Sequence, residues 1–306
     1  MNSPSSCSFT SLSSNLSSYF PIFNTSQPQQ IQWKEFTRLF SNRLYSRGFD
    51  LVKAFPAQRY NAKILSNISP LPSYKRNSTL AIVIANTKHL WPYFLQNLYE
   101  QSRMHIKWDK NPLDFYTKHS VTESVNEVLS IIGRNDVKFD IRHTFDMEKS
   151  RFVAFQLLAH EAGLAYYNRS CCLNIHEIAG PWIGLRSVVT FDIEGPSISD
   201  TNIPLENPYP EGDSLLKAKL FTILHPKHYT SSSKERKKLT ANDISRDWYQ
   251  WVELRDLASG FMSEEARIKW RYSDDQIEYH YTKNLSKLQE ILLNLPENNL
   301  FTKKEH

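Results

Sequence analysis

Residues 152–191, FVAFQLLAHEAGLAYYNRSCCLNIHEIAGPWIGLRSVVTF, decide the fold, because apolar spacing changes there from helical to strand-like around a turn. Apolar or small residues recur at Phe152, Phe155, Leu158, Ala159, Ala162 and Tyr166, the spacing of one helix face. Gln156, His160, Gly163 and Tyr167 fall at i, i+4, i+7 and i+11, which predicts a second, polar stripe on the same helix. A glycine inside a helix costs about 1 kcal/mol against alanine. Gly163, set among Ala159, Ala162 and Ala165, therefore signals close approach of something bulky, either a neighbouring helix or a flat ligand. Beyond the helix the pattern predicts a strand at 172–176, a turn at Ala179, Gly180 and Pro181, and a β-branched strand at 182–193 that carries Arg186. Helix, strand, turn and returning strand would together wall a pocket.

Upstream, the spacing predicts an amphipathic helix over 33–47, ending near Gly48, and helices over 90–103 and 122–132. TLAIVIAN, residues 79–86, is a continuous apolar run of the kind expected of a central strand covered on both faces. Val137, Phe139, Ile141 and His143 alternate with Lys138, Asp140 and Arg142, the signature of a half-buried strand. Downstream, a proline-rich connection over 195–212 precedes a helix near 214–220, the basic run, the tryptophan block DWYQWVELRD (247–256) and helices over 263–270 and 273–295. Strands and helices mix without regular βαβ alternation, so the chain reads as α+β, with a polar tail at each end (1–30 and 296–306) and one domain over 31–295.

Composition narrows the function classes. The chain has 306 residues, enough for one large core, and only 8 are glycine. Neither G-x-G-x-x-G nor G-x-x-x-x-G-K-[ST] occurs, which disfavours a nucleotide held by a glycine-rich phosphate loop. A net charge of +5 is mild, and the basic run over 234–238 has no interleaved aromatics, so nucleic-acid binding is not expected. Three cysteines make no disulfide framework, and no C-x-x-C suggests zinc. His160-Glu161 starts like H-E-x-x-H, but Leu164 stands at the second ligand position, and His225 and His228 lack an acidic partner at a recognisable offset. Residues 1–30 hold ten serines and no charge, unlike a secretory or mitochondrial leader, so the expected location is the cytoplasm. No apolar run approaches the ~18 residues of a membrane span.

Four ordered blocks resemble one family. His160 and Gly163 followed by Ala165, Tyr166 and Tyr167 form the first half of one block, and Ile175, His176, Gly180, Trp182, Arg186, Val188 and Val189 the second. RGFDLVKAFPAQRYN (47–61), the stretch around 71–87 and DWYQWVELRD complete the set. Over residues 33–293 the chain resembles the CblC-type vitamin B12 processing proteins. The resemblance implies a nitroreductase-like fold, an antiparallel sheet flanked by helices. It further implies cobalamin bound with its lower base displaced, reductive removal of cyanide by a reduced flavin (FAD or FMN), and transfer of an alkyl group to glutathione. Alternatives are a cobalamin carrier without turnover and a flavin-dependent reductase of another substrate.

Carried over residue by residue, the corrin contacts fall on Val153, Ala154, Phe155, Gln156, His160, Gly163, Tyr167, Asn168, Arg169, Asn174, Gly180 and Leu185. Cobalt stays within the corrin, and no residue is assigned as its ligand. Arg186, Arg255 and Lys287 match the positions that hold the glutathione carboxylates, a task suited to planar guanidinium forks. A homodimer and a cobalamin-sorting partner protein are implied as well. The chain departs from the pattern at Pro181, Arg169, Asn174 and Lys287, and Arg169 and Lys287 lead us to expect weaker or altered dealkylation.

Overall fold

The structure is a computed structural model and describes residues 31–199, 205–224 and 245–295. Expectations for the two tails, for the basic run at 234–238, for His225 and His228, and for 200–204 of the proline-rich connection lie outside those residues.

The organising element is β2 (Thr79–Asn86), all eight residues of which are buried. It pairs antiparallel with β1 (Leu51–Pro56) on one side and with β6 (Gly184–Glu194) on the other. β3 (Phe139–His143) pairs antiparallel with the far edge of β6, giving the order β1-β2-β6-β3. Side chains alternate across a strand. Leu80, Ile82 and Ile84 of β2, with Val189, Phe191 and Ile193 of β6, therefore share one core with α1 (Trp33–Tyr45), α3 (Leu90–Arg103) and α4 (Pro112–Ile131). Ala81, Val83, Ala85 and Val188 face a second core under α2 (Ala57–Asn61) and α5 (Phe155–Glu161). The rings of Phe36 and Phe40 meet Phe191 edge-on at 4.7 and 5.8 Å, contacts worth about 1 kcal/mol each beyond their burial. The chain is thus α+β, an antiparallel sheet flanked by helices on both faces.

β4 (Tyr166–Asn168) and β5 (Leu173–Ile175) form a separate antiparallel pair beside α5. The C-terminal helices are α6 (Asp213–Leu224), α7 (Trp248–Ser259), α8 (Glu264–Trp270), α9 (Asp274–Thr282) and α10 (Leu285–Leu293). Tyr279 of α9 and Leu288 and Ile291 of α10 join the first core, and two small cores hold most of the rest. One joins Leu216, Leu220 and Leu254 to Cys171, and the other gathers Val252, Tyr272 and Ile277 around Trp182, ahead of β6. No described helix is long and apolar enough to cross a membrane.

Several expectations need correction. The helix expected to run through Tyr167 ends at Glu161, because Gly163 adopts φ +72°. Its N–H donates to His160 O at 3.0 Å and that of Leu164 to Ala159 O at 2.9 Å, the paired bonds that close a helix on a left-handed glycine. Gly163 is therefore a terminator, and Tyr167 belongs to a strand rather than to a helical stripe. No neighbouring helix approaches Gly163 among the described residues: a Cβ there would meet only a Lys53 methylene, at 4.0 Å.

α4 begins at Pro112, well before the expected residue 122. Its buried face is built from Thr117, Ser120 and Ser124 as well as apolar residues, which blurs the periodicity. The hydroxyls of Thr117 and Ser124 are satisfied by carbonyls four residues back, each at 2.8 Å. The single helix expected over 273–295 is two, since Lys283 is left-handed at φ +54° and the Asn284 side chain accepts from the Ser286 and Lys287 N–H groups to start α10. On β3 the alternation fails at the ends. Phe139 is exposed, whereas Arg142 is buried, its guanidinium held by Asp140 at 2.8 Å and by the Pro70 carbonyl at 2.9 Å.

Candidate functional site

The pairing of β2 with β6 shifts register between Ile84, opposite Ser187, and Ala85, opposite Leu185, and leaves Arg186 as the extra residue of a bulge. A bulge re-aims side chains. Leu185 packs toward the cores beside α5, while Arg186 lines a cavity of about 10 Å³ with Trp91, Gln276, Tyr279 and His280, room for about one water. Arg186 is buried, and its Nε donates to Asn86 Oδ1 at 2.6 Å. Gly184, opposite Asn86, makes this contact possible: a Cβ there would stand 3.0 Å from the Arg186 guanidinium and 3.1 Å from Asn86 Oδ1.

The surroundings of Arg186 are cationic. Burial pulls its guanidinium below the ordinary value, against the opposing influence of Tyr272 and Asp114. No carboxylate among the described residues forms an ion pair with it. Asp114, at the start of α4, has its carboxyl raised by burial, with Lys283 and Arg186 pulling the other way. The Lys283 ammonium lies 5.6 Å over the Tyr279 ring and is lowered to about 8 by burial and by Arg186. Burial also holds His280 well below its ordinary value, reinforced by Lys283, Arg255 and Arg186, so the imidazole is neutral.

Arg255, on α7, is the most exceptional member. Its Nε and Nη1 are buried without a hydrogen-bond partner, and its guanidinium lies 5.7 Å from the Trp182 ring and 5.8 Å from the Tyr281 ring. Leaving charged donors unsatisfied costs about 1–3 kcal/mol or more, so this group is suited to an anion that supplies acceptors. Arg271 covers Trp182 from 5.4 Å but is committed to Asp256 and Asp274.

Arg186 and Arg255, distant in sequence, therefore belong to one cluster with Lys283, and among the described residues Asp114 is the carboxylate that acts on Arg186. Lys287 is elsewhere: it stands on α10 with its ammonium 3.3 Å from Glu290 and 3.5 Å from Asp275. The lysine whose charge reaches Arg186 is Lys283, at the left-handed junction that sequence periodicity did not show.

The residues matched to corrin contacts gather on the other side of the start of β6. Val153 and Phe155 are buried and Ala154 half-buried, its N–H donating to Tyr60 Oη at 2.9 Å. The Gln156 amide donates to Cys172 O, and Asn174 Nδ2 donates to Gln156 O at 3.0 Å, tying the hairpin to α5. Asn174 Oδ1 has no partner. His160 Nδ1 accepts the Tyr167 N–H at 3.4 Å, and burial lowers the imidazole, so it is a neutral anchor for β4. Asn168 is buried and donates to Asp213 at 2.7 Å, while Arg169 is exposed. Gly180, at φ +55°, closes a reciprocal backbone bridge with His176 at 2.9 Å and seats the Met262 side chain. His176 Nδ1 accepts from Ile178 and Ala179, each at 3.2 Å, a turn-capping role that residue type alone did not reveal.

No protein-family profile and no curated protein sequence matches the chain. Among solved structures, the crystal structure of a C. elegans B12-trafficking protein CblC, a human MMACHC homologue, matches with a TM-score of 0.61 at 17% identity. The match covers 88% of this chain and 98% of that one. The nitroreductase-like architecture expected from the sequence is thus the fold of this chain.

Proposed function

We propose that this protein processes cobalamin as a substrate: it binds the corrin with the lower base displaced and removes the upper ligand. The observation that carries the reading is the start of β6, where Leu185 packs beside the α5 hairpin and Arg186 faces the cationic cluster, so that one strand joins the residues matched to corrin to a candidate anion site. The likeness to a B12-trafficking protein is in accord with it.

For an alkylcobalamin, the two carboxylates of glutathione are held by Arg186 and Arg255, with Lys283 as the third cation. The thiolate attacks the alkyl carbon; the S–C bond forms, the Co–C bond breaks and its electron pair stays on cobalt. Trp182 and Tyr281 fix the Arg255 fork from its ring faces, and a neutral His160 keeps the hairpin closed on α5. For cyanocobalamin, a reduced flavin would supply the one-electron reduction that releases cyanide. A cytoplasmic location, a homodimer and a cobalamin-sorting partner belong to the same reading.

The test is the visible spectrum of the full chain titrated with methylcobalamin, before and after anaerobic addition of glutathione. A blue shift followed by glutathione-dependent loss of the methyl–cobalt band is the expected result. A shift without turnover makes the protein a carrier, and no shift refutes the cobalamin reading.

A further inference from the structure

The small cavity at Arg186 is bounded by the starts of α3 and α4 and by Gln276, Tyr279 and His280 of α9. At about 10 Å³ it has room for a single water-sized body. From the groups that converge on it we infer that it is a binding site for a monatomic anion, a halide such as chloride.

The charge requirement comes from Arg186. Its side chain is buried, its Nε is taken by Asn86 Oδ1 at 2.6 Å, and among the described residues no carboxylate forms an ion pair with it. A buried charge calls for a counter-charge or for acceptors. The neighbouring cations supply neither, since Arg255 and Lys283 act on Arg186 with like charge. Asp114 acts with opposite sign, but burial raises its own carboxyl towards the protonated form. An anion in the cavity would offset this excess.

The donors come from two helix starts and one hydroxyl. Leu90 is the first residue of α3 and Leu113 the second of α4, both line the cavity, and neither helix start has a side-chain cap. Uncapped N–H groups and the positive ends of two helix dipoles favour an anion there. Tyr279 is 1% exposed, and its hydroxyl, beside the Leu113 N–H, has no hydrogen-bond partner. His280 is held neutral by burial and adds no competing charge. Size then selects the ligand. A carboxylate or phosphate would have to open the cavity, whereas a single atom fills it. Arg255 does not line this cavity, so a halide at Arg186 leaves its unpartnered donors open to a larger anion.

The inference does not rest on the cobalamin reading, and its test uses neither corrin nor glutathione. Chloride binding to the full chain is followed by broadening of the chloride NMR line at constant ionic strength, and by melting temperature in chloride against gluconate. The expected result is saturable broadening that bromide displaces, with a melting temperature raised by chloride and bromide but not by gluconate. Arg186→Met should abolish both effects. Tyr279→Phe, which removes one hydroxyl and keeps the ring, should weaken chloride binding roughly fivefold or more, the loss of one hydrogen bond to a charged group. Lys217→Ser, at an exposed position of α6, should alter neither effect. Absence of saturable broadening, equal stabilisation by gluconate, or chloride binding unaltered in Tyr279→Phe would each overturn the inference.

Discussion

Replacing Gly163 with alanine tests the local structure on which the α5 hairpin depends, and the sign of the effect alone is decisive. Alanine at φ +72° sits in the left-handed region, which costs an L-residue about 1–2 kcal/mol. No clash adds to this, because the new methyl would meet only Lys53, at 4.0 Å. The narrower unfolded ensemble of alanine returns about 0.4–1 kcal/mol. The net expectation is a loss of about 1 kcal/mol, a fall in melting temperature of about 2 °C for a chain of this length. A helix-interior glycine predicts the opposite, a gain of about 1 kcal/mol. Urea denaturation read by circular dichroism, with unchanged slope, measures the difference directly. A raised midpoint for Gly163→Ala would refute the helix-terminating role and restore a continuous helix through Tyr167. Gly163→Asn, which tolerates the left-handed region better, should lose less.

Arg255→Met removes a buried guanidinium whose Nε and Nη1 lack partners, so stability should rise by about 1 kcal/mol while glutathione-dependent demethylation falls at least tenfold; a less stable or fully active variant contradicts this. Lys283 titrates near 8 in the folded chain against an ordinary 10.5, so between those values the unfolded chain holds the extra proton and stability of the ligand-free protein rises with pH. Over the same window glutathione affinity should fall as the ammonium deprotonates, and Lys283→Met should abolish both trends in paired denaturation and binding profiles. At pH 8 an alkylating reagent should modify exposed Cys172 far faster than buried Cys171, whose thiol is pushed up to about 11; equal labelling by peptide mass spectrometry would show that Cys171 is not seated under α6.

What the sequence determined by itself was the burial pattern along the elements whose buried face is purely apolar. TLAIVIAN read as a central strand and is one, and the helix over 90–103 appears with those bounds, because a continuous apolar run or a clean helical period reports directly which faces leave water. Where hydroxyls satisfied by their own helix carry the buried face, as at Thr117 and Ser124, the same signal failed and α4 was half missed. Glycine was read through its helix-interior cost, yet only the backbone angle shows that Gly163 ends α5. The family resemblance placed Arg186 and Arg255 in one role, and their residue types suited it. That they share a cluster with Lys283 and Asp114, while Lys287 pairs with carboxylates of α9 and α10, was decided by tertiary structure. A bulge aims Arg186 away from the corrin patch, and helices from distant parts of the chain bring the other charges to it. Periodicity describes how an element is covered, whereas an anion site depends on which uncompensated charges the packing of several elements leaves together.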